Sequence, residues 1–161
     1  MNEMIKVGMA DYKVCPYPEA ITTLGLGSCV GIALYDPVSR VAGLAHVMLP
    51  DSTKISNNRN KAKFADTGIT GLVEAMVESG AVKRRLVAKI AGGAQMFAFS
   101  RQSDMMKIGL RNVEATKMKL RELGIAVLAE DIGDNYGRTI EFHSASGELK
   151  VKSVGRPPKS I

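Results

Sequence analysis

Cys29 ends the run Thr22-Thr23-Leu24-Gly25-Leu26-Gly27-Ser28-Cys29, and His46, one of only two histidines, follows seventeen residues later. A thiol and an imidazole are the pair needed for nucleophilic attack on a carbonyl carbon. The thiolate is the reactive form, and an adjacent imidazole can take the proton that must leave. Gly25 and Gly27 give the turn before the cysteine access to positive φ and to close approach by a ligand. Amides in such a turn, here those of Gly27 and Ser28, can point at a developing oxyanion. Each feature also has a plainer reading. A lone cysteine in an apolar strand commonly packs as a small hydrophobe, and Gly-x-Gly commonly makes a tight turn. Position decides between the readings.

Two apolar runs, Val30 to Tyr35 and Arg40 to Leu49, flank Asp36-Pro37-Val38-Ser39. Asp then Pro fits a type I turn, on which four-residue hairpin loops are usually built. That loop makes Tyr35 and Arg40 the first cross-strand pair, and counting back sets Cys29 opposite His46. Opposed residues share a face, with Cβ atoms about 4.5–5.5 Å apart. A slip of one residue would turn them to opposite faces. The same register puts Gly31, Ala33, Ala42 and Leu44 on the Cys–His face, and these mostly small residues are expected to leave room for a substrate.

The remaining elements read as a mixture of strands and helices. Ile5, Val7 and Met9 alternate as in a strand, and polar residues 51–62 suggest a flexible loop. Phe64 to Ser79 has helical spacing, with Gly80 as its stop. Leu86 to Ala91 reads as a buried strand. A methionine-containing loop runs from Gly92 to Ile108, with Phe97 as a candidate aromatic anchor. A second helix covers Leu110 to Leu123, a strand Ile125 to Glu130, and a hairpin 137–143 and 148–154. The expected class is α+β, with helices covering sheet, in one domain over 1–154. Residues 155–161, with Pro157-Pro158, are expected to be disordered.

Composition excludes several classes. The chain has 161 residues, 45% of them apolar, and no apolar run long enough for a helical membrane span. The N-terminal residues lack a signal-peptide pattern. Two cysteines without a secretion signal point to the cytoplasm and to free thiols, with Cys15 as a packing residue. The net charge of +6 favours acidic partners. The basic residues are scattered and no aromatic–basic stripe accompanies them, so nucleic acid is not expected. Cys15, Cys29, His46 and His143 lack zinc-type spacing, no metal or cofactor is expected, and His143 reads as a surface residue. The site residues alone also fit a thiol hydrolase of other amide or thioester specificity, or a surface that docks a partner.

The run Thr22 to Cys29 and the segment Ala45-His46-Val47-Met48-Leu49-Pro50-Asp51-Ser52 resemble the chemoreceptor glutamine deamidase family of bacterial chemotaxis, CheD. Ala88-Lys89-Ile90-Ala91-Gly92-Gly93-Ala94, Ile108 to Val113, Ala129 to Gly133 and Gly137-Arg138 match in the same order. The resemblance implies two packed sheets flanked by helices, similar to the cytotoxic necrotising factor toxins. It implies a thiol hydrolase that converts receptor glutamines to glutamate through a cysteine thioester. The nucleophile would fall on Cys29, the base on His46 and the orienting residue on Thr23. The implied partners are the cytoplasmic helices of methyl-accepting chemoreceptors and a CheC-type phosphatase, whose activity the family raises.

Overall fold

The computed structural model describes residues 4–96 and 107–161. Phe97, singled out above as an aromatic anchor, lies outside them. Among the described residues, ten strands and two α-helices follow in the order β1 (Ile5–Val7), β2 (Asp11–Cys15), β3 (Ala20–Leu26), β4 (Val30–Tyr35), β5 (Ala42–Val47), α1 (Ala65–Glu78), β6 (Val87–Gly92), α2 (Ile108–Glu122), β7 (Ala126–Ile132), β8 (Arg138–His143), β9 (Glu148–Ser153) and β10 (Arg156–Ser160). They form two five-stranded mixed sheets, β1-β3-β8-β9-β10 and β2-β5-β4-β6-β7. The fold is α+β, as the sequence leads one to expect. No helix among the described residues is long and apolar enough to cross a membrane.

The second sheet is the middle of three layers. Val30, Ile32, Leu34, Ala45 and Val47 face α1 and α2, packing with Ile69, Leu72, Met76, Val113 and Leu120. Cys29, Ala33, Ala42, Leu44 and Ala91 face the first sheet, packing with Ile21, Leu26, Ile140, Phe142 and Val151. A sheet covered on both faces cannot alternate apolar and polar residues, which is why β4 and β5 read as continuous apolar runs. Both helices cover this one sheet. The small residues on its inner face accommodate the larger side chains opposite. A Cβ on Gly31 would lie 2.6 Å from Ile140 Cδ1 and 3.1 Å from Leu26 Cδ1. The space expected there for a substrate is therefore core, filled by the first sheet.

The β4–β5 hairpin differs from the expected register by two. Asp36 N–H donates to Val41 O (3.0 Å) and Arg40 N–H to Asp36 O (2.7 Å), so the loop is 37–40. The cause is Asp36. Its buried carboxylate accepts from the amides of Val38 and Ser39, from Val82 N–H and from Arg85. This ties Asp36 to the strand end, and Arg40 closes the loop at φ +60°. His46 consequently pairs with Gly31 and Val47 with Val30. A shift of two preserves the face, so Cys29 is a diagonal neighbour of His46 instead of its direct partner.

Two segments are more ordered than their composition suggests. In the 51–62 stretch, Asp51 accepts from Thr53 N–H, Asn60 from Ala62 N–H, and Asp66 from both Ser52 N–H and Ser52 Oγ. The 155–161 tail, expected to be disordered, forms the edge strand β10 on β9, with a register shift between Arg156 and Lys159. An edge position tolerates prolines because one side of the strand needs no ladder. Ile161 and Leu149 exchange backbone hydrogen bonds, and Lys159 Nζ lies 3.0 Å from Asp131. His143, expected on the surface, is half-buried on β8.

Candidate active site

Thr23 on β3 and His46 on β5 belong to different sheets, and their side chains meet between them. Thr23 Oγ1 lies 2.7 Å from His46 Nδ1 and donates its hydrogen to Val7 O at 2.8 Å. Parallel pairing of β1 with β3, which sets Val7 beside Thr23, supplies that carbonyl. A hydroxyl has one hydrogen. With that hydrogen on Val7 O, Thr23 Oγ1 accepts from Nδ1–H. The imidazole is thereby held in the tautomer whose Nε2 carries the lone pair. Nε2 is buried and has no hydrogen-bond partner among the described residues. His46 is fully buried, and Cys29 is 8% exposed.

Cys29 sits one residue before β4, where the ladder with β5 has ended at Val30–Val47. Its side chain shares the inter-sheet face with His46. No hydrogen bond joins the thiol to Nε2 among the described residues. Burial pushes the Cys29 thiol above its ordinary value of 9.0 and pulls His46 below 6.5. Burial thus disfavours the charged form of each group, the thiolate as well as the imidazolium.

The turn before Cys29 is held by its carbonyls. Gly27 O accepts from Ala94 N–H (2.9 Å) and Cys29 O from Gly93 N–H (2.8 Å). Gly27 N–H is spent on Gly25 O at 3.1 Å. Of the two amides proposed as oxyanion donors, that of Gly27 is therefore engaged, whereas that of Ser28, like that of the neighbouring Cys29, carries no backbone–backbone hydrogen bond among the described residues. Gly25 adopts φ +70°. A Cβ at Gly27 would sit 3.3 Å from Cγ of the exposed Met96 side chain.

Two further features fasten the turn: a close backbone approach of the kind that the Gly92-Gly93 pair allows, and a buried side chain that sequence reasoning passed over. Gly92, at φ +111°, lets β6 approach so closely that a Cβ would lie 2.2 Å from Cys29 O. Asn112 of α2 is fully buried, and its Nδ2 donates to Ser28 O and Met48 O, both at 3.0 Å. The signal was a polar residue on the helix face that also carries Val113 and Leu120. Among the described residues, no three His, Cys, Asp or Glu side chains are grouped as metal ligands.

Residues 48–153 match the family model described as CheD chemotactic sensory transduction. A probable chemoreceptor glutamine deamidase CheD of Lachnoclostridium phytofermentans is 66% identical over the full length of both chains. One from Caldanaerobacter subterraneus is 59% identical over 99% of each. The chemoreceptor glutamine deamidase CheD of Halalkalibacterium halodurans is 52% identical over the whole of both. The family model starts just after His46, and the full-length relatives extend across Cys29 as well. Among solved structures, the Bacillus licheniformis hypothetical protein YfiH aligns with a TM-score of 0.48 at 17% identity, over 75% of this chain and 49% of that one.

Proposed function

We propose that this chain, which belongs to the CheD family, is a chemoreceptor glutamine deamidase that works through a Cys29 thioester. Family membership supports the activity. The observation that carries the mechanism is the Thr23–His46 contact, which leaves Nε2 as an unpartnered base on the face that also bears Cys29. The substrate glutamine enters at the Gly25–Cys29 turn, and the thiol–imidazole contact tightens once the site is filled. Nε2 takes the thiol proton, and Sγ attacks the glutamine Cδ. The amides of Ser28 and Cys29 receive the oxyanion, a contribution of about 3–4 kcal/mol per donor where such holes are formed. The imidazolium gives its proton to the departing nitrogen, the C–N bond breaks and ammonia leaves. A water molecule then gives a proton to Nε2 and attacks the thioester. The C–S bond breaks, leaving glutamate, and the proton returns to sulfur.

The receptor's signalling helices lie in the cytoplasm, and the reading places the enzyme there. A CheC-type phosphatase is proposed to dock at the same mouth, where Leu24 and Met96 are exposed beside the turn. The test is mass spectrometry of receptor cytoplasmic fragments incubated with wild type or with Cys29→Ala. Each converted glutamine gains roughly one mass unit as an amide becomes an acid through nucleophilic hydrolysis. Conversion by Cys29→Ala would refute the thiol mechanism. Phosphatase affinity should survive that substitution, because few interface truncations cost more than about 1 kcal/mol.

A further inference from the structure

We infer that Asn112 is a positioning residue of the site: its side-chain amide clamps the two strand ends that carry Cys29 and His46. This inference rests on the thiol reading above. The β4–β5 ladder stops at Val30–Val47. Beyond it the strands part, and Met48 N–H turns to Lys63 O. Into that fork α2 inserts Asn112, whose Nδ2 donates to Ser28 O on one side and to Met48 O on the other. Both acceptors are carbonyls, which assigns the nitrogen to this side of the amide. One NH₂ group therefore replaces the next rung of the ladder. It sets the separation of the residue before Cys29 from the second residue after His46.

Two further observations support a positional role. Asn112 Oδ1 is buried and takes no hydrogen bond among the described residues. A buried polar atom without a partner is unfavourable for folding, a cost set against the two hydrogen bonds that the same amide gives to the strand ends. The clamp is also aligned from below. Cβ atoms on Gly93 and Gly109 would meet Val113 Cγ2 at 2.3 Å and Ala94 O at 2.4 Å respectively. The first turn of α2 is thus seated directly on the Gly93–Ala94 backbone that holds Cys29 O and Gly27 O. Helix, turn and fork form one contiguous unit.

The experiment compares wild type, Asn112→Ala and Asn112→Asp for receptor-fragment deamidation and for alkylation of Cys29 by iodoacetamide, with folding followed by circular dichroism. Asn112→Ala removes both donors. It should lower kcat by about 100-fold, as small misplacements do, with KM changed less than about threefold, because no substrate contact is removed. Asn112→Asp is isosteric, but its ionised carboxylate has no hydrogen to give, whereas the protonated acid has one. Its activity relative to wild type at the same pH should therefore rise several-fold as pH falls, while a merely structural role would leave the kcat ratio of folded protein flat. Folded Asn112→Ala with kcat within about threefold of wild type would overturn the inference. Should the alanine variant fail to fold, a pH-independent ratio for folded Asn112→Asp would overturn it equally. A wild type that alkylates at Cys29 but does not deamidate would instead refute the enzymatic reading, and the alkylation comparison would still test the clamp.

Discussion

Thr23 does for His46 what a carboxylate does in many nucleophilic sites, but with one hydrogen and no charge. Its hydroxyl is committed to Val7 O, and that commitment selects the imidazole tautomer. Thr23→Val keeps the shape and removes the acceptor. It should lower kcat by roughly tenfold, in keeping with the loss of one hydrogen bond worth about 1–1.5 kcal/mol. Thr23→Ser should retain most activity in the same steady-state assay. Burial also sets the pH dependence. Because His46 is pulled below 6.5, its neutral form persists below that pH. The acid limb of kcat/KM should therefore lie below 6.5, and a limb at or above it would contradict the buried-base assignment. The second thiol offers a stability test. Cys15 is fully buried and its pKa is pushed up from 9.0 to about 11. A raised pKa means stability present below pH 9.0 that is lost as pH rises through about 11, amounting to about 2–3 kcal/mol. Urea denaturation at about pH 8 and about pH 10.5 should show a smaller alkaline loss for Cys15→Ala than for wild type.

At the scale of elements, the segments that hold the site are fastened by backbone approaches that side chains would block. Gly80 and Gly92 have nearly the same φ, +108° and +111°. A Cβ at Gly80 would meet nothing within 4 Å, whereas one at Gly92 would lie 2.2 Å from Cys29 O. Alanine at either position incurs strain of about 1–3 kcal/mol. Only Gly92→Ala should also displace the cysteine turn. Thermal melts of the two variants should both fall, while deamidation by the folded Gly92→Ala protein should drop well below that of Gly80→Ala. Equal specific activity of the two would show that β6 does not set the position of Cys29. The 37–40 loop makes a related point. The buried Asp36 carboxylate, bound by Arg85 and held well below the usual carboxylate range, moves the hairpin register by two and leaves Cys29 and His46 on one face.

For the molecule as a whole, the site depends on the spacing of two sheets, since Thr23 comes from one and His46 from the other. Gly31 pairs with His46 and faces the first sheet, where Ile140 and Leu26 occupy the volume a side chain would need. Gly31→Val inserts three carbons into this packed interface and should cost about 1–3 kcal/mol of stability through overpacking. It should lower kcat by more than the melting shift explains, because it pries Thr23 from His46. The comparison is kcat at a temperature where both proteins are folded. Undiminished kcat would show that the Thr23–His46 contact tolerates sheet separation.

Much of this protein was legible in its amino-acid sequence. The periodicities located both helices and most strands. The pairing of a cysteine turn with a histidine strand is a local matter, since both lie on one hairpin and hairpin parity depends only on loop length. The resemblance added Thr23, which no periodicity singles out. What the tertiary structure decided were the contacts across layers, where no short-range rule operates. The tail became β10 because β9 presented an edge and Lys159 could reach Asp131. The apparent substrate space at Gly31 vanished because the facing sheet fills it. The charged forms of the thiol and the imidazole are both disfavoured by burial, which depends on all three layers. Asn112 acquired its place because α2 packs over the fork between β4 and β5, at a distance in sequence that spacing alone does not bridge.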